Sequence, residues 1–313
     1  MEFDFSEITV PFRMQPGLSR MPENARHTRL LDPHSPLFRE KLQVLSLHVE
    51  QALLQLEDFD PRSALLALAQ CLAFEWPESC SLSESILHLH SCGLRLDLQT
   101  LEVSIKETQD SPVQACVMQL PPHYRIWAAF SLFLQEDLAI LDGHSTQLKS
   151  LAVCIPSHWA PEEKIGLALA AVHAPVADNT LLLKASESLS RLVTSSQKTR
   201  WQRFVWTLQP SCQYDGHPKR SPPRNWPKQV KMLGEQLWMR VEHQSFIAVP
   251  LVQQAVFTIR VMLGSLESLI TDEAKAARLH AAISSMSDAV VAYRGLGLIR
   301  PLVLEWLKER MSF

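Results

Sequence analysis

Apolar residues recur at helical spacing near both ends of the chain and in two segments of its middle. In residues 37–56, Leu42, Leu45, Val49 and Leu53 repeat every three or four positions, which predicts the buried stripe of an amphipathic helix. The same spacing, with prolines near the starts and ends, predicts the other helices. The predicted helices are 37–56, 64–74, 83–89, 161–173, 181–193, 272–286 and 298–310.

Runs rich in β-branched and aromatic residues lie mainly in the middle of the chain and predict strands. The predicted strands are 94–106 (a strand or hairpin), 148–155, 203–208, 236–242 and 255–261. These strands do not alternate regularly with helices, so the pattern favours the α+β class with a largely antiparallel sheet. We expect a single domain over residues 1–313, with helical flanks at about 36–90 and 272–310.

The composition argues against a nucleotide-binding loop within this chain. Only nine glycines accompany 20 prolines, and neither G-x-G-x-x-G nor G-x-x-x-x-G-K-[ST] occurs. Such loops need glycine, because backbone amides must approach a phosphate closely. A formal net charge of −3 gives no electrostatic reason to expect nucleic acid as a partner.

Targeting and metal-binding signals are equally sparse in the sequence. The six cysteines are scattered and form no C-x-x-C pair, which argues against a zinc, iron–sulfur or disulfide framework. The acidic start and the lack of a long uncharged stretch favour a cytoplasmic protein that does not enter a membrane. Lys219, Arg220 and Arg224 form a basic cluster in a proline-rich stretch, interpreted as a solvated loop rather than a binding patch.

Histidine and arginine supply the candidate chemistry. His173 ends a predicted helix, where an imidazole can either bind a haem iron or interact with the terminal carbonyls. Arg203, Arg240 and Arg260 each lie among apolar residues of a strand-like run. A buried arginine is costly unless it is paired, which suggests an anionic partner; the alternative is an arginine that points to solvent.

Several short segments carry more information than their spacing. They are P-F-R-M and G-L within 11–18, Q-E-D-L-A-I-L at 135–141, C-I-P-S-H-W at 154–159, E-K-I-G at 163–166, A-V-H-A-P-V at 171–176, R-F-V-W at 203–206, R-V-E-H-Q at 240–244, Pro250 with V-F-T-I-R at 256–260, and A-Y-R-G-L at 292–296. In this order they resemble the motifs of the haem-dependent oxidative N-demethylase family, specifically its haem-binding alpha subunit. The likeness covers roughly residues 10–310.

The resemblance implies a PAS-like fold, in which helices flank a five-stranded antiparallel sheet that holds a b-type haem with its iron. It implies oxygen-dependent removal of a methyl group from a small secondary amine of the dimethylamine type, with formaldehyde as a product. Electrons would come from NADPH through separate flavin and iron–sulfur reductase subunits. The lack of a nucleotide loop and of a cluster-binding cysteine set agrees with such external partners.

The resemblance also assigns roles to individual residues. His173 becomes the first choice for the axial iron ligand, with His158 as a weaker rival. A ligating imidazole binds iron through one nitrogen while an acceptor orients the other.

The other assignments concern charged and amide groups of the later motifs. Arg203, Arg240 and Arg260 become candidates for pairing with haem propionates or a partner carboxylate, since a guanidinium matches two oxygens. Glu242 and Gln244 are the candidate catalytic residues, which either order that network or hold an ammonium substrate.

The sequence departs from the family pattern at two informative positions. His243 stands where the family has an arginine, and Val205 where it has an asparagine; Ser245-Phe246 replaces a T-L pair and is a milder change. These departures keep two alternatives open. Either the substrate differs from that of the family, or this member binds haem without the same turnover. The alternatives to a demethylase are a non-catalytic PAS-like sensor of haem or another ligand, and a pseudo-subunit that scaffolds an assembly.

Overall fold

A computed structural model describes residues 3–196 and 198–311. Its strands are β1 (Ser19–Arg20), β2 (Leu53–Gln55), β3 (Cys80–Ser83), β4 (Ile86–Leu89), β5 (Leu94–Asp97), β6 (Glu102–Ile105), β7 (Asp137–Asp142), β8 (Leu148–Ala152), β9 (Trp201–Gln209), β10 (Trp238–Val249) and β11 (Gln254–Ser265). They form two antiparallel sheets, which confirms the mixed α and β class with antiparallel pairing.

The main sheet has the strand order β1-β9-β10-β11-β7-β8-β2. It therefore has seven strands among the described residues, where the resemblance implied five. The two additional strands, β1 and β2, are edge strands of two and three residues. The smaller sheet is a meander in the order β3-β4-β5-β6.

The helices lie before, between and after the strands. They are α1 (Pro36–Leu47), α2 (Val49–Ala52), α3 (Arg62–Glu75), α4 (Pro112–Gln119), α5 (Pro122–Phe133), α6 (Leu169–His173), α7 (Thr180–Ser195), α8 (Leu233–Gln236), α9 (Leu266–Leu269), α10 (Glu273–Ser284), α11 (Asp288–Tyr293) and α12 (Arg300–Glu309). The predicted helices at 64–74, 181–193, 272–286 and 298–310 are confirmed within a few residues. No prediction covered α4 and α5.

The predicted helix over 83–89 is wrong, because these residues belong to the β3–β4 hairpin. Leu87 and Leu89 are buried while Ile86 and His88 are half-buried, an alternation with the period of a strand. Glu84 forms the turn with a left-handed φ of 53°. The N-terminal flank at 36–90 is consequently not wholly helical.

Two other predicted helices are shorter than their apolar spacing suggested. The segment 37–56 stops being helical at Leu53, because residues from there to Gln55 pair with β8 at the sheet edge. In 161–173, a 3-10 turn at Pro161–Glu163 is separated from α6 by Gly166, whose φ of +76° is left-handed. A helix cannot continue through that conformation.

The main sheet has two faces that are covered by different elements. We call the face that carries residues 240, 242 and 244 of β10 the front face, and the face that carries 239, 241, 243 and 245 the back face. Helices α6 and α7 pack over the front face, whereas α3, α10 and α12 pack over the back face. Among the helices of residues 3–196 and 198–311, none is long and apolar enough to cross a membrane.

Candidate functional site

A row of polar side chains follows the front face of β10. Arg240, Glu242 and Gln244 are two residues apart, so a strand places them on one face. The antiparallel register sets Arg203 of β9 directly across from Gln244, and Val205 across from Glu242. Directly paired residues share a face, so the fold brings Arg203 into the same row.

This row is only partly covered although β10 lies between two long strands. Glu242, Arg203 and Val205 are half-buried, whereas most back-face residues of the same part of β10 are fully buried. The carboxylate of Glu242 on the central strand β10 and the guanidinium of Arg203 on the neighbouring strand β9 are therefore accessible from one side only. This arrangement suits a ligand that lies between the front face and the segments around it.

His173 lies at the end of α6 with one nitrogen already bonded. Its Nδ1 donates to the backbone oxygen of Leu169 at 2.8 Å, which leaves the lone pair on Nε2. Burial lowers the pKa of His173, and the nearby charge of Arg203 lowers it further. A neutral imidazole whose second nitrogen is oriented by a carbonyl is the form in which histidine binds a metal.

Arg203 has a buried nitrogen without a partner. Its Nε has no hydrogen-bond acceptor in the part of the chain that the structure describes. Burial lowers the pKa of Arg203, and the charge of Glu242 opposes this fall. An orphaned donor on a guanidinium is costly to bury, so a carboxylate ligand would satisfy it.

Arg240 is buried far more deeply and its nitrogens are bonded within the protein. It is 1% exposed. Nε donates to Ser157 Oγ at 2.6 Å, Nη1 to the Tyr214 carbonyl at 2.7 Å and Nη2 to the Ile155 carbonyl at 2.7 Å. The alternative of a solvent-facing strand arginine is wrong for this residue. These three bonds link β10 to two separate loops.

The segment after β8 is fixed from several directions. Asp137 Oδ2 accepts from the Ile155 amide at 2.9 Å, and Lys41 Nζ lies 3.2 Å from the other carboxylate oxygen. The Gly216 amide donates to the Pro156 carbonyl at 3.0 Å, and a Cβ at this glycine would lie 2.7 Å from that oxygen. Residues 154–159 are therefore held in one conformation beside the row.

His158 lies within this fixed segment. Its backbone has a left-handed φ of 64°, which is uncommon for a residue with a side chain. Its buried Nε2 has no hydrogen-bond partner within residues 3–196 and 198–311. Burial, with the charges of Arg224 and Arg240, lowers the pKa of His158 to about 3. The imidazole is consequently neutral at physiological pH.

Arg260 and His243 lie on the back face, away from the row. They are directly paired in the β10–β11 ladder. His243 stacks on Phe204 with ring centroids 4.7 Å apart, and its Nε2 lies 2.9 Å from Gln202 Oε1. Of the predicted site residues in the sheet, the fold thus groups Arg203, Arg240, Glu242 and Gln244 and separates Arg260 from them.

The basic cluster is not simply a solvated loop. The side chain of Arg220 is buried, and its Nε lies 2.8 Å from Asp215 Oδ2. Arg224 is half-buried and donates to the backbone oxygen of Arg294 at 2.9 Å. Lys219 alone fits the prediction, with a largely exposed side chain. The prediction is wrong for Arg220 because proline-rich composition does not reveal the carboxylate that folds against it.

Three further residues lie close to the row or to His158, and the sequence had indicated no role for them in the site. Ser157 bonds both Arg240 and Glu242, Arg224 lies near His158, and Tyr293 lies near Glu242. Ser157 and Tyr293 fall within the segments that carry the family resemblance, which is the signal available for them. Arg224 falls outside those segments.

The residues present fit a haem better than a bare metal ion. Among the described residues, no group of three or more histidine, cysteine, aspartate or glutamate side chains is placed to hold a metal ion. A haem iron needs only an axial ligand from the protein. His173 and His158 offer imidazole nitrogens, and Arg203 offers an unpaired cation suited to a propionate.

A cleft of about 960 Å³ lies elsewhere, between β2, β6 and the start of α5. Its lining includes Leu54, Val103, His123 and Trp127, and none of the residues of the front-face row. Volume alone therefore does not locate the chemistry of this protein. The half-buried charges of Arg203 and Glu242 lie on the front face and not in this cleft.

The chain matches a protein-family model over most of its length. The model of a family described as haem-dependent oxidative N-demethylase, alpha subunit-like, matches residues 99–304, about two thirds of the chain. The matched region contains β7 to β11, α6 and α7, and every residue of the front-face row.

Proposed function

This chain belongs to the haem-dependent oxidative N-demethylase, alpha subunit-like family, and from that premise we propose that it binds haem b at the front face and demethylates a small secondary amine. The observation that carries this proposal is the front-face row, in which Arg203 and Glu242 are half-buried beside the buried Gln244, with His173 within electrostatic reach of Arg203. The substrate class proposed is that of dimethylamine.

The front-face residues would divide the binding of the haem among them. His173 would bind the iron through Nε2, because Nδ1 is already held by the Leu169 carbonyl. Of the three arginines predicted to bind the cofactor, we propose Arg203 for a propionate, since the nitrogens of Arg240 are engaged by the protein and Arg260 lies on the back face. His158 is the rival ligand.

The five long strands β7 to β11 form the part of the sheet that we propose is PAS-like. They are contiguous and antiparallel in the order β9-β10-β11-β7-β8. Helices α6 and α7 belong to the connection between β8 and β9, and they pack over the front face. In this arrangement the ligand lies between the sheet and the chain that connects its two halves.

Glu242 and Gln244 would act on the amine. Glu242 is half-buried, and the amide of Gln244 holds one of its carboxylate oxygens at 2.6 Å. A protonated secondary amine has two N–H donors and a positive charge, so a fixed carboxylate would bind and orient it. Partial burial of Glu242 beside the sheet strengthens this attraction, because the local dielectric constant is lower than that of water.

The oxygen chemistry and the electrons would come from outside the polypeptide. When bound, haem supplies the oxidation, in which one atom of O2 is transferred to the methyl carbon that leaves as formaldehyde and the other leaves as water, with two electrons and two protons consumed. We propose that a cytoplasmic NADPH-dependent reductase with flavin and iron–sulfur subunits delivers these electrons. No nucleotide-binding motif occurs in the sequence.

A sensor without turnover is the second candidate, and Val205 is the observation that favours it. Val205 faces Glu242 across the ladder, so an isopropyl group occupies the position where the family has an amide. The other departure, His243, lies on the back face and removes no cation from the row. Only one of the two departures therefore bears on the site.

The test is to express the full chain with a haem precursor and to compare it with His173→Ala. We expect a Soret band with about one haem per chain, and formaldehyde release from dimethylamine when NADPH and the reductase are supplied. His173→Ala should lose most of the haem or shift the Soret maximum, because the iron loses its ligand.

The matched control is His144→Ala, which removes an exposed histidine from the turn between β7 and β8. Its spectrum should equal that of the unmodified chain. An unchanged spectrum for His173→Ala, with a change for His158→Ala, would transfer the ligand role to His158. Haem binding without formaldehyde would favour the sensor.

A further inference from the structure

Ser157 lies between the two charged residues of the front-face row. Arg240 Nε donates to its hydroxyl oxygen at 2.6 Å, and the hydroxyl contacts Oε1 of Glu242 at hydrogen-bond distance. Arg240 and Glu242 are not themselves within ion-pair distance in the part of the chain described here. The hydrogen bonds that link them therefore pass through the serine.

The donor and acceptor groups themselves determine the direction of the hydrogen bonds from Arg240 through Ser157 to Glu242. A guanidinium has donors only, so Ser157 must accept from Arg240. Its single hydroxyl hydrogen is then free for the carboxylate oxygen of Glu242, which accepts it. The other oxygen of Glu242 accepts from Gln244 Nε2 at 2.6 Å. Two donors therefore hold the two oxygens of one carboxylate.

Arg240, from which this series of hydrogen bonds begins, is held by two further hydrogen bonds. Arg240 is buried and also bonds the backbone oxygens of Tyr214 and Ile155, which belong to different loops. Ser157 lies in the segment that Asp137 fixes through the Ile155 amide. The hydroxyl of Ser157 that contacts Glu242 is thus held by the bond from Arg240, and the backbone of Ser157 is held by the contacts of its segment.

We propose that Ser157 is a positioning residue, which passes the anchoring of Arg240 to Glu242 and holds that carboxylate as the fixed anion for the ammonium group of the substrate. The identity of the ligand rests on the proposed function, whereas the positioning of Glu242 does not. Ser157 touches neither substrate nor haem in this role; it acts through the carboxylate.

The experiment compares Ser157→Ala with Ser157→Thr, which keeps the hydroxyl, in the full haem-loaded chain. Dimethylammonium chloride is titrated against the haem spectrum. Ser157→Ala should weaken binding about tenfold, since it removes a hydrogen bond to a charged group, and Ser157→Thr should stay within about threefold of the unmodified chain. Haem content should be unchanged in both.

Two further arms separate positioning from support of the fold. In a Glu242→Gln background, Ser157→Ala should weaken binding no further, because the residue acts only through Glu242. Ser145→Ala removes another serine that bonds a carboxylate, that of Asp142 at 2.9 Å in a surface turn, and should leave binding unchanged. Ser157→Cys, a near-isosteric variant, should bind with intermediate affinity.

The infrared carboxylate stretch of Glu242 distinguishes failure of this proposal from failure of the proposed function. The band, assigned by its loss in Glu242→Gln, should shift in Ser157→Ala whether or not an amine binds. An unshifted band, equal loss of binding in both Glu242 backgrounds, or loss of haem in Ser157→Ala and Ser157→Cys alike would overturn the proposal. A shifted band in a protein that binds no dimethylammonium would leave Ser157 in its role and reject the amine.

Discussion

The two faces of the main sheet carry polar residues from the same strands, yet they use them differently. On the back face, the His243 and Ser245 side chains are buried and bonded to Gln202, His27 and Thr258. On the front face, Arg203 and Glu242 are half-buried, and the Nε of Arg203 has no acceptor among the described residues. Successive side chains of a strand point to opposite faces. Neighbouring residues of β10 therefore belong either to the bonded network of the back face or to the half-buried charges of the front face.

The difference distinguishes polar groups that support the fold from polar groups that await a ligand. A buried donor or acceptor without a partner costs free energy, so a fold that retains one on a central strand needs a compensating interaction. For His243 and Ser245 on the back face, the compensation comes from the protein itself. On the front face we propose that it comes from haem and substrate.

Glu75 gives the largest expected effect and tests the back-face half of this comparison. This carboxylate of α3 is 6% exposed and accepts from the His27 amide, the Thr28 amide and the Thr28 hydroxyl. Glu75→Ala leaves three buried donors unpaired and should lower the free energy of unfolding by about 3 kcal/mol. Urea denaturation measures this loss.

The control is Glu78→Ala, which removes an exposed carboxylate three residues further along the chain. It should change the free energy of unfolding by no more than about 0.5 kcal/mol. The haem content of the folded fraction should be unaffected by either variant. A loss of haem from folded Glu75→Ala would show that the two faces are not independent.

Hydrophobic patterning predicted the apolar strands but did not predict the polar second half of β10. Strands β9 and β11 were located correctly, but the prediction for β10 ended at residue 242, whereas the strand runs to Val249. The run Glu242 to Ser245 is polar on both faces, because one face lines the site and the other belongs to the buried network. Hydrophobic periodicity carries no signal where both faces are polar.

The grouping of the site residues was less predictable than the strands. The register places Arg203 beside Gln244 and sends Arg260 to the opposite face, although all three arginines have similar local sequences. The acceptors of Arg240 are the backbone oxygens of Tyr214 and Ile155 and the hydroxyl of Ser157, all remote in sequence. Composition and spacing do not encode such contacts; only the ordered family motifs indicated that these segments act together.

A smaller change in stability is expected when the pH is lowered, because His243 on the back face is buried. Burial, with the charges of Arg260 and Arg29, lowers the pKa of His243 to about 4, below its ordinary value near 6.5. Between these values the unfolded chain binds a proton that the folded chain does not, so stability falls as the pH falls through this window. At pH 5 the loss should be about 1–2 kcal/mol.

His243→Gln, which keeps a hydrogen-bonding side chain but does not titrate, isolates this contribution from those of other groups. The unmodified chain should lose about 1–2 kcal/mol of its free energy of unfolding relative to the variant between pH 7 and pH 5. A difference that stays constant across this range would show that His243 does not titrate as its buried position requires.

Haem titration of Arg203→Gln and Arg260→Gln tests the central claim most directly, because the two substitutions remove the same cation from opposite faces of one sheet. Haemin is added to chains purified without haem, and the Soret band reports binding. We predict that Arg203→Gln weakens haem binding at least about tenfold while Arg260→Gln changes it less than about threefold. Equal weakening in both variants, or a larger loss in Arg260→Gln, would contradict the assignment of the haem to the front face.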